Sequence, residues 1–245
     1  MNFKYLIGKA INEILLKMIS KIPSTLFFIP NGRFMELDIV RTKEDISLIF
    51  DVGANVGQTA MSFVETFPNA SIHSFEPILD TYNTLSKKSK NHPNIKPIQS
   101  ALGAEKGTVQ IILNSDSQIN SIKNKNFDQN TPTEQVFIET GKAYCEKNNI
   151  NQIDLLKIDT EGFEISVLKG FEKDFLKDKV KFIYCEVGFN KNDPYKSYFS
   201  DVENYIQECG FVVTGFYEPS RWGKTKMMLG FCNALFTNSN RIDIF

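Results

Sequence analysis

The chain has 245 residues, enough for one large α/β domain, and its 42% hydrophobic and 23% charged residues exclude disordered and fibrous classes. Lys and Arg number 28 against 29 Asp and Glu, a formal net charge of -1, so broad electrostatic binding to nucleic acid is not expected. The longest apolar runs, 26–29 and 182–185, fall far short of the roughly 18 residues that a membrane-spanning helix needs.

Residues 3–18 place Phe3, Leu6, Ile7, Ala10, Ile11, Ile14, Leu15 and Met18 at three- and four-residue steps, one face of a helix. Lys4, Lys9 and Lys17 interrupt any apolar core of a signal peptide. A helix of this kind could lie on a membrane surface, though docking on its own domain or on another subunit is the commoner use. Residues 1–22 are therefore the candidate contact for a peripheral membrane or an oligomer. The expected location is cytoplasmic, at most peripheral to the inner membrane surface. Pro23 and residues 30–32 mark turns, and the alternation in 34–40 (FMELDIV) predicts a short strand.

From residue 47 short apolar runs alternate with helical segments. Strands are predicted at 48–52, 72–75, 95–100, 109–113, 136–138, 153–158 and 180–187, and helices at about 58–66, 79–90, 141–148, 163–176 and 197–209. Residues 114–133 read as a long polar loop, and 211–217 with 227–236 as a C-terminal hairpin. Strands alternating with helices predict a mostly parallel sheet covered on both faces, a Rossmann-like α/β fold. We expect residues 1–245 to form one domain, with 1–46 as a helix-and-strand appendage to a core at 47–245. Cys145, Cys185, Cys209 and Cys232 form no C-x-x-C pair and are expected to be reduced, buried thiols. His73 lies inside a predicted strand and reads as a core histidine.

The strongest local signal is Asp51-Val52-Gly53-Ala54-Asn55-Val56-Gly57, between a strand and a helix. Glycines at the carboxyl end of a first strand let backbone approach a ligand closely. A dinucleotide fingerprint would require glycine at 55 and 58; Asn55 and Gln58 stand there, and no phosphate-loop Lys-Ser/Thr follows. The spacing suits a nucleoside without phosphates, such as S-adenosyl-L-methionine. Glu76 ends the second strand 25 residues after Asp51, where a carboxylate can accept both ribose hydroxyls. Ser100 and Ala101 end the third strand, where by fold analogy the adenine would lie.

A second unusual stretch, residues 155–164, runs a buried strand into Lys157, Asp159, Glu161 and Glu164. The two-residue period puts Lys157 and Asp159 on one strand face, able to pair at the carboxyl edge. Glu161 either caps the next helix or joins the chemistry, and Glu164 either lies on a solvated face or binds a backbone amide. Asn192-Asp193-Pro194-Tyr195 lacks the second proline of a D/N-P-P-Y motif and reads as a turn.

These segments together resemble the FkbM-type family of S-adenosylmethionine-dependent methyltransferases, over about residues 48–236. The resemblance rests on DVGANVGQT (51–59), FEP (75–77), ALG (101–103) followed by G-T-V, LLKIDTEGFEISVLKG (155–170), Glu186 ending the fifth strand, and Asn233-Ala234-Leu235-Phe236. It implies a class I seven-stranded sheet with an antiparallel last strand, and methyl transfer to oxygen on sugars, glycolipid-like molecules or natural products. On that reading Asp51, Gly53, Asn55, Gly57, Glu76, Ser100, Ala101 and Asp159 bind the cofactor. Asp159 is the first candidate for the general base, with Lys157 positioning it or the acceptor and with Glu161 and Glu186 as alternatives. Carboxylates without histidine would suit Mg²⁺ or Ca²⁺, but no ligand set is visible in sequence, so no metal is assigned. The competing function is a non-catalytic nucleoside-binding module in a glycan-assembly complex, against which the intact Asp51, Gly53, Gly57, Glu76 and Asp159 set argues.

Overall fold

The computed structural model describes residues 34–113 and 132–242. The helix expected over 3–18, the turns at Pro23 and 30–32, and nearly all of the loop expected at 114–133 lie outside the described residues.

The first described element is a helix, α1 (Met35–Arg41), where alternation predicted a strand. In a helix, residues two apart point about 200° from one another. Met35 and Ile39 pack into one core cluster while Leu37, between them, is also buried. A helix buried on both sides thus mimics a two-residue period. Glu36 and Asp38 in its first turn and Arg41 in its last, bonded to Asp38 at 2.5 Å, favour the helix.

The chain then runs β1 (Leu48–Val52), α2 (Gln58–Thr66), β2 (Ser71–Phe75), α3 (Leu79–Ser89) and β3 (Ile95–Ile98). Next come β4 (Ala101–Leu102), β5 (Gly107–Ile112), β6 (Thr133–Glu139), α4 (Gly141–Lys147) and β7 (Ile153–Ile158). The remainder is α5 (Glu164–Phe171), α6 (Lys173–Lys179), β8 (Val180–Gly188), α7 (Phe199–Gln207), β9 (Phe211–Trp222) and β10 (Met228–Asn238). The single helix expected over 163–176 is broken at Glu172, whose φ of 62° no α-helix tolerates.

Seven strands form one sheet in the order β3-β2-β1-β7-β8-β10-β9, with β10 antiparallel to both neighbours. This is a class I methyltransferase sheet. The third strand ends at Ile98, earlier than expected, because Ala101 and Leu102 pair with β6 in a separate sheet of order β4-β6-β5.

Alternate residues of the parallel strands feed two cores. Phe50, Val52, Leu156, Ile158, Ile183 and Cys185 pack with Val167, Phe171, Val202 and Ile206 of α5 and α7. Ile49, Leu155, Phe182, Tyr184 and Leu235 pack with Met35 and Ile39 of α1 and Ala60 and Phe63 of α2. Both faces are covered, which is why these strands read as near-continuous apolar runs. The same parity carries Asp51, Lys157 and Glu186, each two residues beyond a member of the second cluster, to the α1–α2 face near the carboxyl edge.

Candidate active site

The first strand runs into a loop of left-handed backbone, with φ of 77° at Gly53, 49° at Asn55 and 86° at Gly57. Gly53 is required twice over. Its φ disfavours a side chain, and a Cβ there would lie 1.8 Å from the carbonyl oxygen of Asp159. The loop after β1 and the end of β7 thus touch through backbone. Asp159 completes the contact by donating its N–H to the Val52 carbonyl at 3.0 Å.

Glu76 follows β2, is 6% exposed, and faces this loop. Its Oε2 accepts the Asn55 N–H at 3.0 Å and its Oε1 the Ile78 N–H at 2.9 Å. Burial raises its pKa to about 7 in spite of these bonds and of the Lys157 charge. A buried carboxylate with one described donor on each oxygen still has lone pairs to offer, and ribose hydroxyls are donors of the right kind. The residues present therefore fit a nucleoside.

Lys157 is the hub. Parallel pairing sets it directly beside Asp51, and its ammonium lies 3.0 Å from Asp51 Oδ1, 3.0 Å from the Gly53 carbonyl oxygen and 3.8 Å from Asp159 Oδ2. The expected Lys157–Asp159 pair is present but is the longer of the two ion pairs. Burial pulls the lysine pKa down, yet Asp51 and then Asp159 outweigh it and leave it above the usual value. The Asp51 side chain is fully buried whereas that of Asp159 is 40% exposed, so Asp159 is the member of this group that another molecule can reach.

The N-cap residue of α5 is Phe163; the Glu161 side chain turns to Lys196. Glu161 has φ of 52°, and its Oε2 takes a 2.7 Å hydrogen bond from Lys196, which also bonds Glu186. Burial raises Glu161 to about 7 against the pull of Lys196, and burial with Asp159 raises Glu186. Asp159, Glu161 and Glu186 each offer a carboxylate oxygen within 4.8 Å of the others. Glu164 binds backbone, accepting the Thr160 and Gly162 N–H groups at 2.9 and 3.0 Å. Ser100 and Ala101 follow β3 into β4, just past Ile98, whose carbonyl accepts the Glu76 N–H at 3.0 Å, with the Ser100 hydroxyl bonded to the Ala101 carbonyl at 2.9 Å.

Sequence reasoning missed Lys196. It sits just after the tetrapeptide at 192–195, which is a turn as expected, with the Tyr195 N–H on Asp193 Oδ1 at 2.9 Å. Neither its spacing nor its type sets it apart from the other lysines. His73 is a core residue, stacked on Phe50 at 5.3 Å and bonded to the Tyr144 hydroxyl at 3.1 Å, with burial lowering its pKa to about 4. All four cysteines are free and buried, and burial raises each thiol. Among the described residues no helix is long and apolar enough to cross a membrane.

The sequence model of the Methyltransferase FkbM domain matches residues 51–213. The chain is 26% identical over 190 residues to Methyltransferase 1 of Beauveria bassiana, covering 69% of this chain and 74% of that protein. It is 28% identical over 160 residues to hexuronic acid methyltransferase AglP of Haloferax volcanii, covering 62% of each. The fold matches the crystal structure of Methyltransferase FkbM from Methylobacillus flagellatus KT with a TM-score of 0.51 and 15% identity, over 88% of this chain and 48% of that one. The match extends from the first residue of the glycine loop through β7, β8 and their charged ends. This chain belongs to the family of methyltransferases with an FkbM domain.

Proposed function

We propose that the protein is an S-adenosyl-L-methionine-dependent O-methyltransferase acting on a hydroxyl of a sugar, a glycan or a related small molecule. Residues 47–245, with α1 packed into the second core, would form its catalytic core in one domain. One observation carries the reading: Lys157 ties the Gly53 carbonyl, in the loop facing Glu76, to Asp159, the exposed carboxylate at the end of β7.

On this reading Glu76 accepts the ribose hydroxyls, and Gly53, Asn55 and Gly57 let backbone pass close to the nucleoside, with Asp51 fixing the loop through Lys157. Ser100 and Ala101 would border the adenine. The cofactor supplies an electrophilic methyl group on a sulfonium, so no metal is needed to activate the leaving group. An attacking alcohol must lose its proton, and on this reading Asp159, the exposed carboxylate of the group, takes it. Lys157 holds that carboxylate in register with the loop, which matters because in-line transfer demands alignment of the reacting atoms. The hexuronic acid activity in the name of the Haloferax relative supports a sugar acceptor.

Titration calorimetry with S-adenosylhomocysteine, followed by its release from S-adenosylmethionine in the presence of glucose, glucuronic acid and mixed oligosaccharides, tests the reading. Cofactor binding with acceptor-dependent release is expected. A protein that ignores S-adenosylhomocysteine but is stabilised by NADH would overturn it.

A further inference from the structure

The residues after β8 fold back across the carboxyl edge as a strap. The Gly188 N–H donates to the Ser197 carbonyl at 2.8 Å, and Gly188 pairs with Tyr198 as an isolated bridge. A Cβ on Gly188 would lie 2.7 Å from Cβ of Lys196, so the missing side chain is what lets the strap come so near. The strap delivers one cation. The Lys196 side chain is 10% exposed, and its ammonium lies 2.7 Å from Glu161 Oε2, bonds Glu186 Oε2, and sits 4.8 Å above the Phe231 ring.

Three carboxylate oxygens converging within 4.8 Å, on Asp159, Glu161 and Glu186, form the kind of all-oxygen corner that hard divalent cations take. Here a lysine reaches two of the three. An ammonium is a compact point charge with three donors. Two sides of this one are spent on carboxylates, and another rests on an aromatic face, a favourable surface for a cation.

We infer that Lys196 is the built-in cation of this acidic triad, a positioning residue that fixes Glu161 and Glu186 beside Asp159 and occupies the space a divalent ion would take. The inference deepens the methyl-transfer reading of the site and rests on it for its functional meaning, but not for its test. Two carboxylates clamped by Lys196 are held as hydrogen-bond acceptors for a sugar. Asp159, 40% exposed, remains directed to the proton-taking step. The uncompensated charge left if Lys196 were removed should be filled from solution, because buried carboxylates without a counter-charge are costly.

Terbium(III), an oxygen-seeking ion with sensitised emission, is the probe, and the full-length chain is the sample. Lys196→Met keeps the aliphatic stem on Phe231 but removes the charge, and should bind terbium at least about tenfold more tightly than the wild type. Lys196→Arg keeps the charge and should stay at the wild-type level. Adding Asp159→Asn to Lys196→Met should abolish the gained binding, which locates the ion in the triad. Circular dichroism melting checks that each variant is folded; if Lys196→Met is not, Lys196→Gln takes its place. In the release assay Lys196→Met should lose about 10²-fold in turnover, the scale of a small misplacement, with partial recovery in Lys196→Arg and unchanged affinity for S-adenosylhomocysteine. Equal terbium affinity in the wild type and Lys196→Met, or gained binding that survives Asp159→Asn, would overturn the inference. So would wild-type turnover that EDTA abolishes and Mg²⁺ restores. Failure of the wild type to bind S-adenosylhomocysteine would instead sink the methyl-transfer reading, leaving the terbium comparison to decide the role of Lys196.

Discussion

Each edge of the central sheet carries a group of buried charges, and the two are built on opposite terms. At the amino edge Asp154, 1% exposed, accepts the Ser47 and Leu48 N–H groups at 2.8 and 2.9 Å, the Ser47 hydroxyl at 2.8 Å and the Gln152 amide at 2.6 Å. Lys181 lies 3.2 Å away. Burial alone would raise the pKa of Asp154, but these bonds outweigh it and the net shift is downward. At the carboxyl edge Glu76 and Glu161 are raised to about 7, with burial the largest cause, and Glu186 is raised as well. Gly53, Asn55, Gly57, Glu161 and Gly162, all with positive φ, crowd the same edge. A saturated carboxylate stabilises a fold. Carboxylates pushed up in pKa by burial, and positive-φ backbone at the non-glycine residues Asn55 and Glu161, lower stability. The contrast separates a structural edge from the edge proposed to do the chemistry.

The sharpest way to break the contrast is to neutralise one acid at each edge. Asp159→Asn keeps shape and hydrogen bonding but removes the proton acceptor, so turnover should fall by roughly 10²–10⁴-fold, with affinity for S-adenosylhomocysteine changing much less than turnover. If cofactor affinity and stability fall together instead, Asp159 is structural and the base is Glu161 or Glu186. At the other edge, Asp154→Ala strands the Ser47 and Leu48 N–H groups, while the Lys181 ammonium keeps Glu44 at 2.9 Å. Leaving a buried donor unsatisfied costs about 1–3 kcal/mol, to be read from urea unfolding, while turnover per folded molecule should hold. An Asp154→Ala protein as stable as wild type would show that its bonds are replaced by water.

Glu76→Ala is the next in size. Charge-assisted hydrogen bonds are worth about 1.5–3 kcal/mol, so calorimetry should show S-adenosylhomocysteine bound ten- to a hundredfold more weakly. Wild-type affinity in that variant would refute the ribose assignment.

The carboxyl edge was more legible in sequence than the rest, for a physical reason. Gly53, Gly57, Glu76, Lys157 and Asp159 lie at strand ends fixed by local pattern, and local pattern is what a sequence displays. Register between distant strands is not displayed. That Lys157 stands closer to Asp51 than to Asp159 follows from β1 and β7 pairing across about a hundred residues of chain. Lys196 was invisible because a turn sequence announces where the chain bends, not what the residue after it reaches. The reading of 34–40 as a strand failed through burial on both sides of α1, and Ala101 was lost to the third strand because β6, 32 residues on, claims its backbone. In each failure tertiary contact decided the outcome.

The smallest expected effect follows from protonation of the carboxyl edge. Glu76 has its folded pKa raised to about 7, from 4.5, mainly by burial. For an acid shifted upward, the protonated folded form is favoured, so its contribution to stability is full below about pH 4.5 and is lost as pH rises through about 7. Glu161 shifts the same way to about 7, and Asp154, shifted downward, works in the opposite sense only at acid pH below its usual range. Between about pH 5 and 8 the apo protein should therefore lose stability as pH rises. Binding of S-adenosylhomocysteine should run the other way. The ribose hydroxyls donate to the carboxylate, so the ligand favours ionised Glu76 and its affinity should weaken as pH falls below about 7, by at most about tenfold per pH unit for one coupled proton. Calorimetry at pH 8, 7 and 6 in buffers of different ionisation enthalpy would measure both the affinity and the proton released on binding. The Glu76→Gln variant should be weaker at pH 8 and nearly flat across the series. A wild-type affinity independent of pH, or the same slope in Glu76→Gln, would detach the titration from Glu76 and move it to Glu161 or Glu186 on the acceptor side.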